Sequence, residues 1–483
     1  MLKSNYQLRI SEYESIYNLV VKPDHILRKI NEEIDFGFVN KILESSYCKH
    51  FGRPAKEPEM LFKILFLKKL YDLSDETLIE QIRVNMAYKY FLGMMPEDEP
   101  IDSSLLTKFR KTRITQDILE DMLKETIIQA IEKGLIKSTA IIVDATHTHA
   151  RYKHQSSTEI LRKLTKDLRQ EIYVTSYDLS NMFPEKPSSL CDLSDEIAYS
   201  KALINNLEKE ISNIPSNKAK ELYKKISNIL AENNIKNLQS INDEDARTGH
   251  KSADDRFFGY KNHIAMTEER LITGIEITNG SADDGKQLPK LIKQSKTNGI
   301  SITEVIADTA YSKKDNLENT AKEGIKLISK LHPCVSQEHK KEREGFSYNK
   351  DSNQYICPMG YTSINCEKRK SNKKNNNTVL IYSFSKIKCK KCPNQNTCKV
   401  SKKGRKISIT VPSVIHKTQL EFQNSVYFKN RYRQRYMIEA KNAEAKCNHG
   451  LNKADSKGIQ AMNVQSYFTA FVLNVKRIIK LCT

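Results

Sequence analysis

Thr139-Ala-Ile-Ile-Val-Asp144 and Thr303-Glu-Val-Ile-Ala-Asp308 decide how this chain folds. Each is a short apolar run that ends in an aspartate, the composition of a buried strand. Around the second run, Lys286 to Ser295 and Lys313 to Glu323 read as helices and Ile325 to Ser329 as a further strand. Strands separated by helices imply a sheet with parallel members and helices on its faces. Upstream of these, Phe257 to Met266 and Leu271 to Thr278 read as a hairpin joined by the polar turn Thr267 to Arg270, and strand signals return only there after Asp144. The expected class is α/β, a mixed sheet with flanking helices. Carboxylates at strand ends are where such sheets present reactive groups, although a lone aspartate there serves equally as a turn former or helix cap. Two of them in one sheet favour chemistry.

Before this core, Met60, Leu61, Ile64, Leu65, Leu67 and Leu70 recur at helical spacing and predict a helix from Pro58 to Tyr71. A second helix begins after the N-cap Ser74 and carries Leu78, Ile79, Ile82 and Met86. A third starts near Asp102 or Ser103, with Leu105, Leu106 and Phe109 inside and Lys108, Arg110, Lys111 and Arg113 outside. Three short helices with a basic last one resemble a helix-turn-helix module, and a plain bundle with a solvated basic face fits the same pattern. Residues 1–115 are therefore expected to form an all-α, DNA-binding N-terminal domain, followed by a helix from Thr115 to Lys133 closed by Gly134 and a catalytic domain over 135–483. Two segments interrupt the catalytic domain: a helical insertion at 155–245, and a Cys- and Lys-rich insertion at 335–405 containing the low-complexity run Lys370 to Asn377.

The 483 residues include 79 Lys and Arg against 59 Asp and Glu, a formal charge of +20. That surplus points to a polyanionic partner, nucleic acid first. No apolar run approaches the ~20 residues of a spanning helix, and Met1 to Val21 mixes charged with apolar residues, so a cytoplasmic protein without membrane attachment is expected. Ten cysteines then read as thiols or metal ligands. Cys389-x2-Cys392-x5-Cys398, preceded by Cys357-Pro-Met-Gly and Cys366, has spacing compatible with structural Zn²⁺ on Cys357, Cys389, Cys392 and Cys398. With a single C-x2-C pair, free thiols fit as well.

Ser425 to Asn448 reads as one polar helix stopped by Gly450. On it Tyr432, Arg435, Glu439 and Lys446 fall within an arc of about 60°. One acid flanked by two cations and a phenol suits a metal ligand among phosphate contacts, and a solvated charged face is the plain alternative. His147 and His149 suit a solvent-facing strand end better than a Mg²⁺ site, which prefers oxygen. Asp255, Asp283 and Asp284 follow no apolar run and read as turn or supporting residues.

Tyr432-x2-Arg435-x3-Glu439-x6-Lys446 resembles the signature of a large branch of bacterial insertion-sequence DDE transposases. Asp144 in Ile-Ile-Val-Asp-Ala-Thr and Asp308 in Val-Ile-Ala-Asp-Thr-Ala-Tyr resemble that family's two catalytic aspartates. Phe257-Phe-Gly-Tyr-Lys-Asn-His-Ile-Ala265 and Ala282-Asp-Asp-Gly-Lys286 resemble its strand pair and following turn, and residues 40–115 its InsH-like N-terminal domain. Thr309-Ala310 departs from the family, which commonly has a small residue or Gly before the tyrosine. The resemblance implies a ribonuclease-H-like core that cleaves transposon ends and transfers strands into target DNA. It implies two Mg²⁺ ions, replaceable by Mn²⁺, on Asp144, Asp308 and Glu439, with Arg435 and Lys446 on DNA phosphates and Tyr432 positioning or stacking on the strand. The partners implied are double-stranded DNA, as terminal inverted repeats and target, and a second copy of the chain, with the nucleoid as the place of action. An inert DNA-binding regulator and a nuclease that cuts without joining are the alternatives. The complete set of acids counts against the first, and the Tyr, Arg and Lys offsets count against the second.

Overall fold

The computed structural model describes residues 11–48, 55–188, 192–231, 239–251, 254–336, 345–370, 378–395, 398, 404–411 and 413–483. Beyond Lys370, the low-complexity run to Asn377 lies outside them. The central sheet contains β1 (Ala140–His149), β2 (Arg247–His250), β3 (Arg256–Thr267), β4 (Ile272–Asn279), β5 (Glu304–Ala307) and β6 (Lys326–Ile328). Its order is β2-β3-β1-β5-β6, with β4 also paired to β3. β1 runs antiparallel to β3 and parallel to β5, and β5 runs parallel to β6, so the sheet is mixed as expected. The length of β3 explains its three partners. Its first residues pair with β2, and the rest pair with β4 and β1.

Two strand expectations change. β1 continues past Asp144 to His149, because the alternation Thr146, Thr148 inward and His147, His149 outward keeps pairing with β3. The strand β2 precedes the expected hairpin, and its four residues, Arg-Thr-Gly-His, carry no apolar signal.

Helices Pro58–Leu70, Ser103–Thr112 and Gln116–Glu132 form where expected. The helix after Ser74 stops at Val84 instead of running through Met86. Asn85 accepts from the Ala87 and Tyr88 amides and starts a separate helix, Met86–Phe91.

The longest helix, Ile459–Cys482, is buried along most of its length. Phe468 and Phe471 pack on Phe62 of the Pro58–Leu70 helix, with ring centroids 5.0 and 5.4 Å apart. On the sheet side, Asn474 accepts from the Ile272 amide at 2.7 Å and donates to the Ile272 carbonyl at 2.8 Å, acting as one more partner for β4. The N-terminal helices and the sheet thus share one continuous apolar core. The helices Ser157–Thr175, Leu193–Leu207 and Asn217–Ala231 close a core of their own around Leu168, Leu203, Leu207 and Ile226. A third small core, Phe346, Tyr355, Tyr382, Phe384, Ile407 and Ile409, lies in the cysteine-rich segment.

Phe471→Ala is expected to cost about 3–5 kcal/mol and to lower hydrogen-exchange protection of β1 together with that of the Pro58–Leu70 helix. Leu207→Ala is expected to lower protection within 155–245 and to leave β1 unchanged.

Candidate active site

The parallel register pairs Val143 with Ala307, both fully buried, and the next residue of each chain segment is an aspartate. Asp144 and Asp308 therefore leave the apolar core at the same level, on neighbouring strands. Asp308 also caps the short turn Thr309–Tyr311, accepting from the Ala310 amide at 2.9 Å. Burial lifts the Asp144 carboxyl to about 7, with the Asp308 and Glu439 charges adding to it and Arg435 opposing. Burial likewise raises Asp308, with Asp284 contributing.

The expected single helix from Ser425 to Asn448 is two helices, Val426–Arg433 and Tyr436–Asn448. At the junction, Gln434, Arg435 and Met437 donate to carbonyls three residues back, and this tighter winding turns the chain. Tyr432, Arg435, Glu439 and Lys446 consequently do not share one regular helical face. Arg435, at the break, lies within charge range of Asp144, Tyr432, Glu439 and Asp308. Its guanidinium donates to the Glu439 carboxylate, whose side chain is 55% exposed. Tyr432 stacks on Phe428 at 5.6 Å, and the Lys330 ammonium sits 4.7 Å from its ring centroid. The Lys446 ammonium lies 3.4 Å from His147 Nδ1 and is depressed in pKa by burial and by Lys251. His147 is itself held neutral, pushed down to about 4 by burial and then by Lys446. Asp144, Asp308, Arg435, Glu439 and Tyr432 thus converge, and Lys446 approaches from the side of Asp144.

Two neighbours escaped the sequence reading. Asn442, one turn beyond Glu439, donates to Asp144 Oδ2 at 3.2 Å, and its own Oδ1 is buried without a hydrogen-bond partner among the described residues. The spacing Glu439-x2-Asn442 was the available signal. Tyr311 is buried beside Asp144, Asp284 and Asp308, its hydroxyl likewise without a hydrogen-bond partner among the described residues. Of the secondary acids, Asp284 pairs with Lys261 at 2.7 Å, Asp255 with Lys251 at 3.4 Å, and Asp283 caps a turn and pairs with Lys313. Among the described residues, no group of three or more His, Cys, Asp or Glu side chains is already set around a metal position. The Glu439 carboxylate is paired with Arg435.

Residues 14–112 match a family described as a transposase domain, and residues 356–479 match a transposase DDE domain. Both matches are to transposase families, the second of the DDE type. A protein of Rhizobium meliloti, described as uncharacterized protein ORF8 in the nfe locus, is 30% identical over 122 residues, which is 24% of this chain. The aligned stretch spans 58% of that relative's length. Tyr432, Arg435, Glu439 and Lys446 lie within the DDE match, whereas Asp144 and Asp308 lie between the two matches. No described helix of the protein is long and apolar enough to cross a membrane.

Burial moves the Asp144 carboxyl up from 3.8 to about 7, so between those values the folded chain binds more protons than the unfolded one. Stability of the metal-free protein therefore falls as pH rises through that window. In chelator, Asp144→Asn is expected to melt above wild type at about pH 8, with the difference closing at about pH 4, as read by circular dichroism.

Proposed function

We propose that the protein is a DDE transposase that cleaves DNA at transposon ends and joins the released ends to target DNA. The observation that carries the reading is Asp144 and Asp308 at the level ends of two adjacent parallel strands, with the Glu439 helix laid over them. The sheet order, with three antiparallel strands followed by two parallel ones, supports a ribonuclease-H-like catalytic domain over 135–483. In this reading 1–115 is the DNA-binding domain, and 155–245 and 335–405 are insertions.

The donor set fits a hard divalent cation. Asp144, Asp308 and Glu439 offer only oxygen, and burial of two like charges leaves the pair short of positive charge. Asp144, Asp308 and Glu439 would hold two Mg²⁺ ions, or Mn²⁺ in their place, which when bound would supply Lewis-acid activation of the attacking water or 3′-hydroxyl and stabilisation of the leaving oxygen. The chain's own residues do the rest. The strands hold Asp144 and Asp308 rigidly, and Asn442 orients Asp144. Glu439 joins them on leaving Arg435, which frees that guanidinium for a DNA phosphate, and Lys446 contacts another. Tyr432, backed by Phe428, positions the strand. The surplus of Lys and Arg attracts the duplex, and a homodimer on DNA, acting at the nucleoid, would bring two ends together.

Asp144→Asn, Asp308→Asn and Glu439→Gln are each expected to lower cleavage and joining by at least about a hundredfold, while gel-shift affinity for a duplex carrying the terminal repeats stays at the wild-type level. Undiminished cleavage by any of the three, or full cleavage in chelator, contradicts the assignment.

A further inference from the structure

We propose that Cys357, Cys389, Cys392 and Cys398 form a structural zinc site that closes the cysteine-rich segment. The four side chains, remote in sequence, line one cavity of about 70 Å³ together with Phe346, Phe384, Lys388 and Arg405. Two separate turns deliver them. Cys357 follows the strand Gln354–Ile356, donates to the Tyr361 carbonyl and accepts from the Gly360 amide, both at 2.8 Å. Gly360 has φ +78, which a side chain at that position would strain, so the glycine lets the chain fold tightly around Cys357. Cys389 lies in the last turn of the short helix Lys386–Lys390, and the Cys392 amide donates back to the Cys389 carbonyl at 3.4 Å. The Cys398 amide is held by the Asn394 carbonyl at 2.9 Å.

Chemistry and stability both favour a metal here. All four cysteines are free thiols, partly buried, with three of them packed against a core of six buried side chains. So small a core gives limited stability by itself, and segments of this kind are commonly closed by a metal. Four thiolates around Zn²⁺ leave a net negative charge, which Lys388 and Arg405 on the same cavity offset. The four thiols line the cavity without being set in ligand geometry, so metal binding would take a proton from each and turn the side chains to bring the sulfurs to one point. Cys366, the fifth cysteine of the segment, is exposed on the strand Asn365–Lys370 and does not line the cavity.

The full chain, purified without chelator, is expected to carry one zinc by elemental analysis, retained in Cys366→Ser and lost in Cys389→Ser and Cys392→Ser. Exchange of that zinc for Co²⁺ is expected to give thiolate-to-cobalt charge-transfer absorption and tetrahedral d–d bands. Should the serine variants fail to fold, wild type decides the matter: zinc protects these four thiols from iodoacetamide, and chelation exposes them and lowers the melting temperature. Wild type that neither carries zinc nor binds Co²⁺ through sulfur, zinc kept by both serine variants, or a non-reduced mass showing these cysteines as disulfides would each overturn the site.

Discussion

Two aspartates are pressed side by side by the parallel pairing of β1 and β5, and the surrounding structure is arranged around that contact. With carboxylates spaced like the strands, at about 5 Å, their repulsion is about 3 kcal/mol at an effective dielectric of about 20. Arg435 offsets part of this from the helix junction, and the Ala310 amide and Asn442 add hydrogen bonds. A sheet selected for stability alone would place an apolar residue at one of the two positions. Acids held unfavourably in a half-buried cluster are the physical mark of a site awaiting an ion or a substrate.

The third acid depends on how firmly its helix is seated. Ahead of Glu439, Arg431 bonds Glu268 at 2.7 Å and Glu304 at 2.8 Å, tying the Val426–Arg433 helix to the β3–β4 turn and to the start of β5. Behind it, the chain past Gly450 is pinned to the end of β1. His149 donates to the Asn452 carbonyl at 2.9 Å, and Thr148 Oγ1 donates to the Leu451 carbonyl at 2.7 Å. His449 meets the Lys69 carbonyl at 2.9 Å and Lys69 pairs with Asp455 at 2.5 Å, which brings the N-terminal helices into the same anchorage. Held at both ends, the helix keeps Glu439 over the sheet while its exposed carboxylate remains free to turn.

The parts legible in the sequence were those with a local cause. Ile141 to Val143 and Val305 to Ala307 are apolar and buried, so both strands and the aspartates that end them could be read directly. Glu439 was legible through its spacing from Tyr432, Arg435 and Lys446, but the break at Gln434 and Arg435 was not, because nothing in their side chains marks a change to tighter winding. The Ile459–Cys482 helix has apolar residues on every side and gives no amphipathic stripe, since it is enclosed by helices and sheet alike. β2 is polar and gains its strand character from β3. Asn442 looked like one polar residue among many, and only the fold shows that it faces Asp144.

The central claim is that Asp144, Asp308 and Glu439 bind divalent cations together. A crystal of the protein soaked in Mn²⁺ and measured at the manganese absorption edge tests it most directly. The account predicts anomalous peaks bounded by all three carboxylates, with Glu439 turned away from Arg435. Manganese found only elsewhere, with Glu439 still paired to Arg435 at saturating Mn²⁺, would contradict it.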